Sequence, residues 1–181
     1  MILFFGAAGS GKSDQAKKMV DNEGWFWIST GQLLRDTTDP EVHELQQKGA
    51  LVPIEKVNQV LAEALDKKAP AEKLVLDGYP RQIDQANWLV ENCASRNIKI
   101  KMAFNFNVDM KELLKRMDLR GRSDDTPESI NERLAIYHKE IDPILEFLSD
   151  KGVKVVHVDG NGTREDVHNR VMAEFENFKL I

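Results

Sequence analysis

A glycine-rich turn between a short apolar run and a helix constrains this chain more than any other feature of its sequence. Residues 2–5 are apolar, residues 6–13 read GAAGSGKS, and a helical stretch follows from Lys12 to about Asn22. The pattern GxxxxGK[ST] between a strand and a helix is typical of a phosphate-binding loop. Glycines let backbone N–H groups converge on phosphate oxygens, and the helix N-terminus adds partial positive charge. The sequence therefore predicts a phosphate site at Gly9, Ser10, Gly11, Lys12 and Ser13.

Four more short apolar runs follow residues 2–5 along the chain, with helical segments between them. They cover Trp25 to Ile28, Leu74 to Leu76, Lys101 to Phe106 and Val153 to Val158. Short buried strands that alternate with helices predict a parallel sheet with helices on both faces. We therefore expect an α/β fold of the P-loop NTPase type, in which a five-stranded parallel sheet lies between two layers of helices in a three-layer αβα arrangement. Apolar stripes on the helices, one of which includes Cys93, are interpreted as core.

A long helix is predicted from Pro127 to about Asp150. Thr126 is a good N-cap, because its hydroxyl can accept from an N–H of the first turn, and Pro127 suits the first helical position. Pro143 falls inside this helix and is expected to kink or break it, since proline has no N–H to donate.

Size, charge and cysteine content exclude several classes of protein. The chain has 181 residues and a formal net charge of −5, so a single domain, residues 1–181, is expected, and broad binding to nucleic acid is disfavoured. Its one cysteine allows neither an internal disulfide nor a CxxC zinc pair, so no structural zinc is expected. The apolar start is too short for a signal peptide or a membrane span. We expect a cytoplasmic protein that is not bound to a membrane.

The phosphate loop does not by itself say what happens to the bound nucleotide, because GTPases, ATPases and small-molecule kinases share it. Further motifs follow it in order: ISTGQLLR from Ile28, GALVP from Gly49, and DGYPR from Asp77, with Gln85 beyond it. Arg116, GRSDD from Gly121, Arg133 and VDG from Val158 complete the series. With these motifs in this order, the chain resembles the adenylate kinases, a group within the nucleoside monophosphate kinases. The resemblance runs from Met1 to about Val171.

The resemblance implies reversible transfer of a phosphoryl group from MgATP to AMP, giving two ADP, in a monomer whose ligands are ATP, AMP and ADP. It implies two lid insertions: an acceptor insertion at 30–58 and a short donor lid at 118–126 without a zinc ribbon. The ATP site would comprise Gly9, Ser10, Gly11, Lys12, Ser13, Asp14, Arg116 and Gly160. The AMP site would comprise Thr30, Arg35, Val52, Gly78, Arg81, Gln85, Arg122 and Arg133. The catalytic residues would be Lys12, Arg81, Arg116, Arg122 and Arg133, and Mg²⁺ would be held by Ser13 and Asp77 through water.

Acceptor identity depends on two residues, Thr30 and Gln85, which match the adenylate kinase pattern for contacts with the adenine of AMP. Three alternatives stay open: a kinase for CMP, UMP or another nucleoside monophosphate, a module that binds nucleotides without turnover, and a P-loop GTPase or ATPase. The sequence has no recognisable NKxD run, which disfavours a GTPase.

Several positions depart from the family pattern. Ser13 and Asp14 replace the usual Gly-Thr after the loop lysine, and Gln32 replaces an aspartate. Glu112 stands where an arginine is often found, and Arg120 is a possible substitute for it in space. Asp14 is favourable at a helix N-terminus but repels a nearby phosphate, so a weaker donor affinity is expected.

Overall fold

Strands and helices alternate along the chain in this computed structural model, which describes residues 1–68, 72–120 and 126–178, with the backbone alone at Arg120. The strands are β1 (Ile2–Gly6), β2 (Phe26–Ser29), β3 (Leu74–Asp77), β4 (Met102–Asn107) and β5 (Lys154–Asp159). The helices are α1 (Lys12–Glu23), α2 (Thr30–Asp36), α3 (Pro40–Lys48), α4 (Ile54–Asp66), α5 (Ile83–Ser95), α6 (Met110–Arg120), α7 (Pro127–Asp150) and α8 (Arg164–Asn177).

The strands form one parallel sheet in the order β2-β3-β1-β4-β5. Strand β1 lies in the middle, and Phe4 is in register with Asp77 on one side and Phe104 on the other. Since every strand runs the same way, all carboxyl ends meet at one edge of the sheet, where ligands bind in open α/β folds. The predicted α/β architecture is confirmed.

Helices cover both faces of the sheet. Leu3 and Phe5 of β1 pack in one core with α4, α5 and α7, whereas Ile2 and Phe4 pack in a second core with α1 and α8. The two cores exist because alternate side chains of a strand point to opposite faces. This confirms the three layers that the alternating pattern predicts.

Predicted and observed boundaries agree within about one residue. Trp25, expected to begin the second strand, precedes β2 and packs edge-on against Phe175 of α8. At the start of α7, Thr126 Oγ1 accepts from the Ser129 N–H at 3.2 Å, which confirms the predicted cap. Pro143 does not break this helix, which continues to Asp150. Burial of Ile141, Ile144, Leu145 and Leu148 around the proline holds both halves on the sheet.

Helices α2 and α3 and the first turns of α4 fill the range 30–58. That this range is a mobile acceptor insertion remains a prediction, and most of the expected donor lid, 118–126, lies outside the described residues. In the described part of the chain, no helix is both long and apolar enough to cross a membrane.

Cys93 offers a chemical probe of the core. Its side chain is 1% exposed and burial raises the pKa of the thiol to about 11. Because the thiolate is the reactive form, we expect the native protein to react with Ellman's reagent at about pH 8 at least about 100-fold more slowly than the protein in denaturing urea. Equal rates in the two conditions would show that Cys93 is not in the core.

Candidate active site

The glycine-rich loop joins the end of β1 to the start of α1 at the carboxyl edge of the sheet. Gly9 has φ +83° and Gly11, the N-cap of α1, has φ +86°, a region that favours glycine. A Cβ on Gly9 would lie 2.9 Å from the Leu113 carbonyl oxygen, so only glycine lets the loop pack this closely on α6. The Lys12 ammonium donates to the Ala7 carbonyl oxygen at 3.4 Å. The loop therefore has the strand–turn–helix context that phosphate binding requires.

Asp77 ends β3 beside this loop. Ser13 Oγ donates to Asp77 Oδ2 at 2.5 Å, while Oδ1 is buried and has no hydrogen-bond partner among the described residues. A buried carboxylate oxygen without a partner is costly. Carboxylate and hydroxyl oxygens, directly or through water, are the ligands that Mg²⁺ prefers. The Ser13–Asp77 pair therefore fits a hydrated Mg²⁺ ion.

One cavity opens at this edge of the sheet and brings together residues that the sequence predicts from distant segments. Its lining includes Lys12, Ser13, Thr30, Arg35, Val52, Asp77, Gly78, Arg81, Gln85 and Arg133. The cavity thus joins part of the phosphate loop, the Asp77 carboxylate and most of the expected acceptor residues in one space.

Three arginines from different elements converge on this cavity. Arg35 Nη2 donates to Gln32 Oε1 at 2.9 Å, Arg81 Nε donates to the Gly78 carbonyl oxygen at 3.0 Å, and Arg133 Nη2 donates to the Gln46 carbonyl oxygen at 3.0 Å. Desolvation by the surrounding protein lowers the pKa of Arg81, and the nearby charges of Arg133 and Arg35 lower it further, although Asp77 opposes them. The cavity lining therefore carries more positive than negative side chains.

Two of the residues predicted to contact the acceptor base are buried polar side chains in the cavity lining. Gln85 is 2% exposed, and its Oε1 accepts from the Arg81 backbone N–H at 2.7 Å. Thr30 is 3% exposed, and its Oγ1 has no hydrogen-bond partner among the described residues. Gln85 therefore positions the backbone of the loop that carries Arg81, and Thr30 keeps its hydroxyl available to a ligand.

The turn between α3 and α4 forms another part of the wall. Gly49 has φ +72°, and a Cβ there would lie 2.5 Å from the Ser129 carbonyl oxygen at the start of α7. Together with the Arg133–Gln46 hydrogen bond, this close backbone contact places α3 against α7. The GALVP motif therefore needs its glycine for packing.

The remaining residues of the predicted donor site lie around the other side of the phosphate loop. Arg116 Nη1 donates to the Gly160 carbonyl oxygen at 3.1 Å and Nη2 donates to the Gly162 carbonyl oxygen at 3.3 Å. Its Nε donates to Glu112 Oε1 at 2.8 Å, and this hydrogen bond lowers the pKa of Glu112. A Cβ on Gly11 would lie 3.7 Å from Arg116 Nη1. Arg116 therefore links α6 to the loop after β5, beside the phosphate loop.

The other predicted residues are buried at the loop, exposed on the surface of α1, or outside the described structure. Ser10 is buried at the loop, and its Oγ has no hydrogen-bond partner within residues 1–68, 72–120 and 126–178. Asp14 lies in the first turn of α1, with its carboxylate 3.6 Å from Arg164 Nη2. Arg122, together with the rest of the GRSDD motif, lies outside the described residues, as does the Arg120 side chain.

Sequence reasoning missed part of the cavity lining. Trp27 of β2 and Tyr137, Glu140 and Ile141 of α7 also line the cavity. The spacing of Tyr137 and Ile141 indicates a core-facing stripe, and Ile141 is indeed buried in the core. No local signal shows that the same stripe also borders a ligand space.

The parallel sheet and the loop between β1 and α1 define a P-loop nucleotide-binding protein. A sequence model described as adenylate kinase matches residues 4–153. The chain is 35% identical to the adenylate kinase of Parabacteroides distasonis, over 98% of each chain. It is 37% identical to that of Mycolicibacterium smegmatis, over 82% of this chain and 86% of the relative. It is 33% identical to adenylate kinase isoenzyme 1 of Oryctolagus cuniculus, over 99% of this chain and 95% of the relative.

The chain belongs to the adenylate kinase family, which confirms the resemblance and the class of enzyme that the sequence predicts.

A buried hydroxyl near the cavity allows a test of this local structure. The Tyr79 side chain is fully buried, and its hydroxyl donates to Asn58 Oδ1 of α4 at 2.6 Å. We expect Tyr79→Phe to lower the free energy of unfolding by about 1–3 kcal/mol, because the buried Asn58 amide loses its partner. Urea denaturation measures this change. Adding Asn58→Leu to Tyr79→Phe should recover part of the loss, whereas a Tyr79→Phe protein of unchanged stability would contradict this hydrogen bond.

Proposed function

We propose that this protein catalyses the reversible transfer of the terminal phosphoryl group of MgATP to AMP, giving two ADP. One observation carries the proposal: Arg35, Arg81 and Arg133 border the same cavity as Lys12 and Asp77. Two nucleotides that approach each other bring many negative charges into one space, so a site for transfer between them needs fixed cations. The names of the relatives agree with this activity.

The donor, MgATP, would lie on the phosphate loop. Backbone N–H groups at Gly9, Ser10, Gly11, Lys12, Ser13 and Asp14 would face its phosphates, and Lys12 would contact the terminal ones. Arg116 and Gly160, which are hydrogen-bonded to each other, would border the rest of the nucleotide. Ser13 and Asp77 would hold Mg²⁺ through water, and the ion would neutralise charge on the phosphates.

The acceptor, AMP, would lie at the opposite end of the cavity. Arg35 and Arg81 would hold its phosphate, since a guanidinium can donate to two phosphate oxygens at once. Thr30 and Gln85 would contact the base, with Val52 and Gly78 beside it. Arg133, together with Arg122, would border the phosphate oxygens between the two nucleotides.

Catalysis would then consist of positioning and charge neutralisation. The attacking oxygen belongs to a phosphate that is already an anion, so no general base is required. Lys12, Arg81, Arg116, Arg122 and Arg133 would stabilise the charge on the transferred group, without a covalent enzyme intermediate. Closure of the acceptor insertion, 30–58, and the donor lid, 118–126, would exclude water that could otherwise take the phosphoryl group. A cytoplasmic monomer remains the expected form.

A panel of acceptors tests the activity. With MgATP as donor, we expect ADP from AMP and much less product from CMP, UMP or GMP, measured by ³¹P NMR. Arg81→Ala should lower kcat/KM by about 10³ or more, because the transferred phosphoryl group loses the positive charge of the Arg81 guanidinium beside it. Arg96→Ala is the matched control, since Arg96 pairs with Asp66 on the surface away from the cavity and should leave the rate unchanged. Wild-type activity in the Arg81→Ala protein would exclude the assigned role.

Thr30→Val tests base recognition separately. Because Thr30 Oγ1 has no hydrogen-bond partner among the described residues, its removal should leave thermal stability nearly unchanged. We expect KM for AMP to rise about tenfold, since the loss of one buried hydrogen bond costs about 1–3 kcal/mol, with KM for MgATP unaltered. An unchanged KM for AMP would mean that Thr30 does not contact the base.

A further inference from the structure

Asp14 places a negative charge next to the loop that would hold the donor phosphates. It follows Lys12 and Ser13 directly, in the first turn of α1, where the backbone N–H groups point towards a bound anion. A carboxylate is favourable at a helix N-terminus, but it repels a phosphate bound at the same terminus. A donor site with Asp14 at this position therefore needs a compensating positive charge.

Arg164, the first residue of α8, provides this charge. Its Nη2 lies 3.6 Å from Asp14 Oδ1. The side chain of the next residue in α1, Gln15, donates from Nε2 to the Arg164 carbonyl oxygen at 2.9 Å, so the backbone of Arg164 is also attached to α1. Arg164 is therefore fixed beside Asp14 by two contacts of different kinds.

A second ion pair defines the face of α1 on which these contacts lie. Lys18 is four residues after Asp14, and positions i and i+4 share one face of a helix. The Lys18 ammonium pairs with Glu165, the second residue of α8. Asp14 and Lys18 thus both face the start of α8, and the Asp14 carboxylate points towards Arg164.

The start of α8, where Arg164 lies, is capped. Thr163 caps the helix, since its Oγ1 accepts from the Asp166 N–H at 3.1 Å and the Asp166 carboxylate accepts from the Thr163 N–H at 3.0 Å. Just before the cap, Gly160 and Gly162 accept from Arg116. The loop that carries Arg164 is therefore held from both sides.

We propose that Arg164 is a positioning residue of the donor site, whose guanidinium holds the Asp14 carboxylate towards α8 and offsets its charge so that the triphosphate of MgATP binds. The inference rests on the proposed function for its substrate and names a residue outside the phosphate loop. Both side chains are largely exposed, 50% for Asp14 and 79% for Arg164, so the effect depends on ionic strength.

A double-mutant cycle tests the proposal. At low salt, Arg164→Ala should raise KM for MgATP about three- to ten-fold, because Asp14 then repels the donor without compensation, while kcat and KM for AMP stay within about twofold. In about 0.5 M salt the ratio to wild type should fall towards one. In the Asp14→Asn background, Arg164→Ala should change KM for MgATP by less than about twofold.

Glu165→Gln is the matched control, since it removes the neighbouring ion pair between the same two helices and leaves Asp14 and Arg164 intact. It should leave KM for MgATP unchanged. The proposal is overturned if Arg164→Ala has no effect at low salt. It is also overturned if the Asp14→Asn background keeps the full Arg164→Ala defect, which would mean that Arg164 binds the phosphates itself.

Calorimetric titration of each variant with MgATP alone, without AMP, measures the same differences as binding affinities in the absence of turnover. If the unmodified protein formed no ADP, the proposed function would fail, and the binding cycle alone would decide the role of Arg164. Binding weakened by Arg164→Ala and restored in the Asp14→Asn background supports the inference, and the same affinity in all variants contradicts it.

Discussion

Mutual repulsion among the cations around one cavity is the constraint on which the rest of this structure depends. Arg35, Arg81 and Arg133 come from α2, from the loop after β3 and from α7, and each donates to a neutral oxygen. Lys12 likewise donates to a backbone carbonyl oxygen. Neutral acceptors orient Arg35 and Arg81 without cancelling their charges, so the positive potential of these two side chains stays available to an anion. The free energy that keeps these like charges together comes from packing of the elements that carry them.

The order of the strands brings the two halves of the site together. Because β3 pairs directly with β1, the last residue of β3, Asp77, lies beside the loop that follows β1. The hydrogen bond from Ser13 then fixes one oxygen of Asp77, and the other oxygen is buried without a hydrogen-bond partner among the described residues. A different strand order would leave the same motifs in the sequence and separate them in space.

On the predicted donor side, arginines are paired with carboxylates. Arg116 donates to Glu112 as well as to two carbonyl oxygens, and Asp14 is paired with Arg164. Arg170 also donates to the carbonyl oxygens of Asp159, at the end of β5, and of Asn161, in the loop that follows, at 2.7 Å each. Arginines here hold a loop and balance carboxylates, whereas Arg35 and Arg81 at the cavity donate to neutral oxygens. The presence of an arginine alone therefore does not distinguish a residue that would bind phosphate from one that holds a loop in place.

Local features could be predicted from the sequence because they depend on short-range chemistry. The phosphate loop, the five strands, the Thr126 cap and the position of Asp77 at a strand end all follow from periodicity, glycine and capping residues. The long helix continues through Pro143 because buried neighbours on both sides outweigh the hydrogen bond that proline cannot make. Single-residue propensity does not contain that information.

The amino-acid sequence by itself determined the family, the αβα layers and the list of residues in the phosphate and acceptor motifs. Tertiary structure alone decided which of them share one cavity, that Tyr137 and Ile141 of a core helix also line it, and that Asp14 faces Arg164. The physical reason is distance along the chain. Helix and turn patterns arise between residues a few positions apart, whereas contact between Asp14 and Arg164 exists only once the packed sheet brings α1 and α8 side by side.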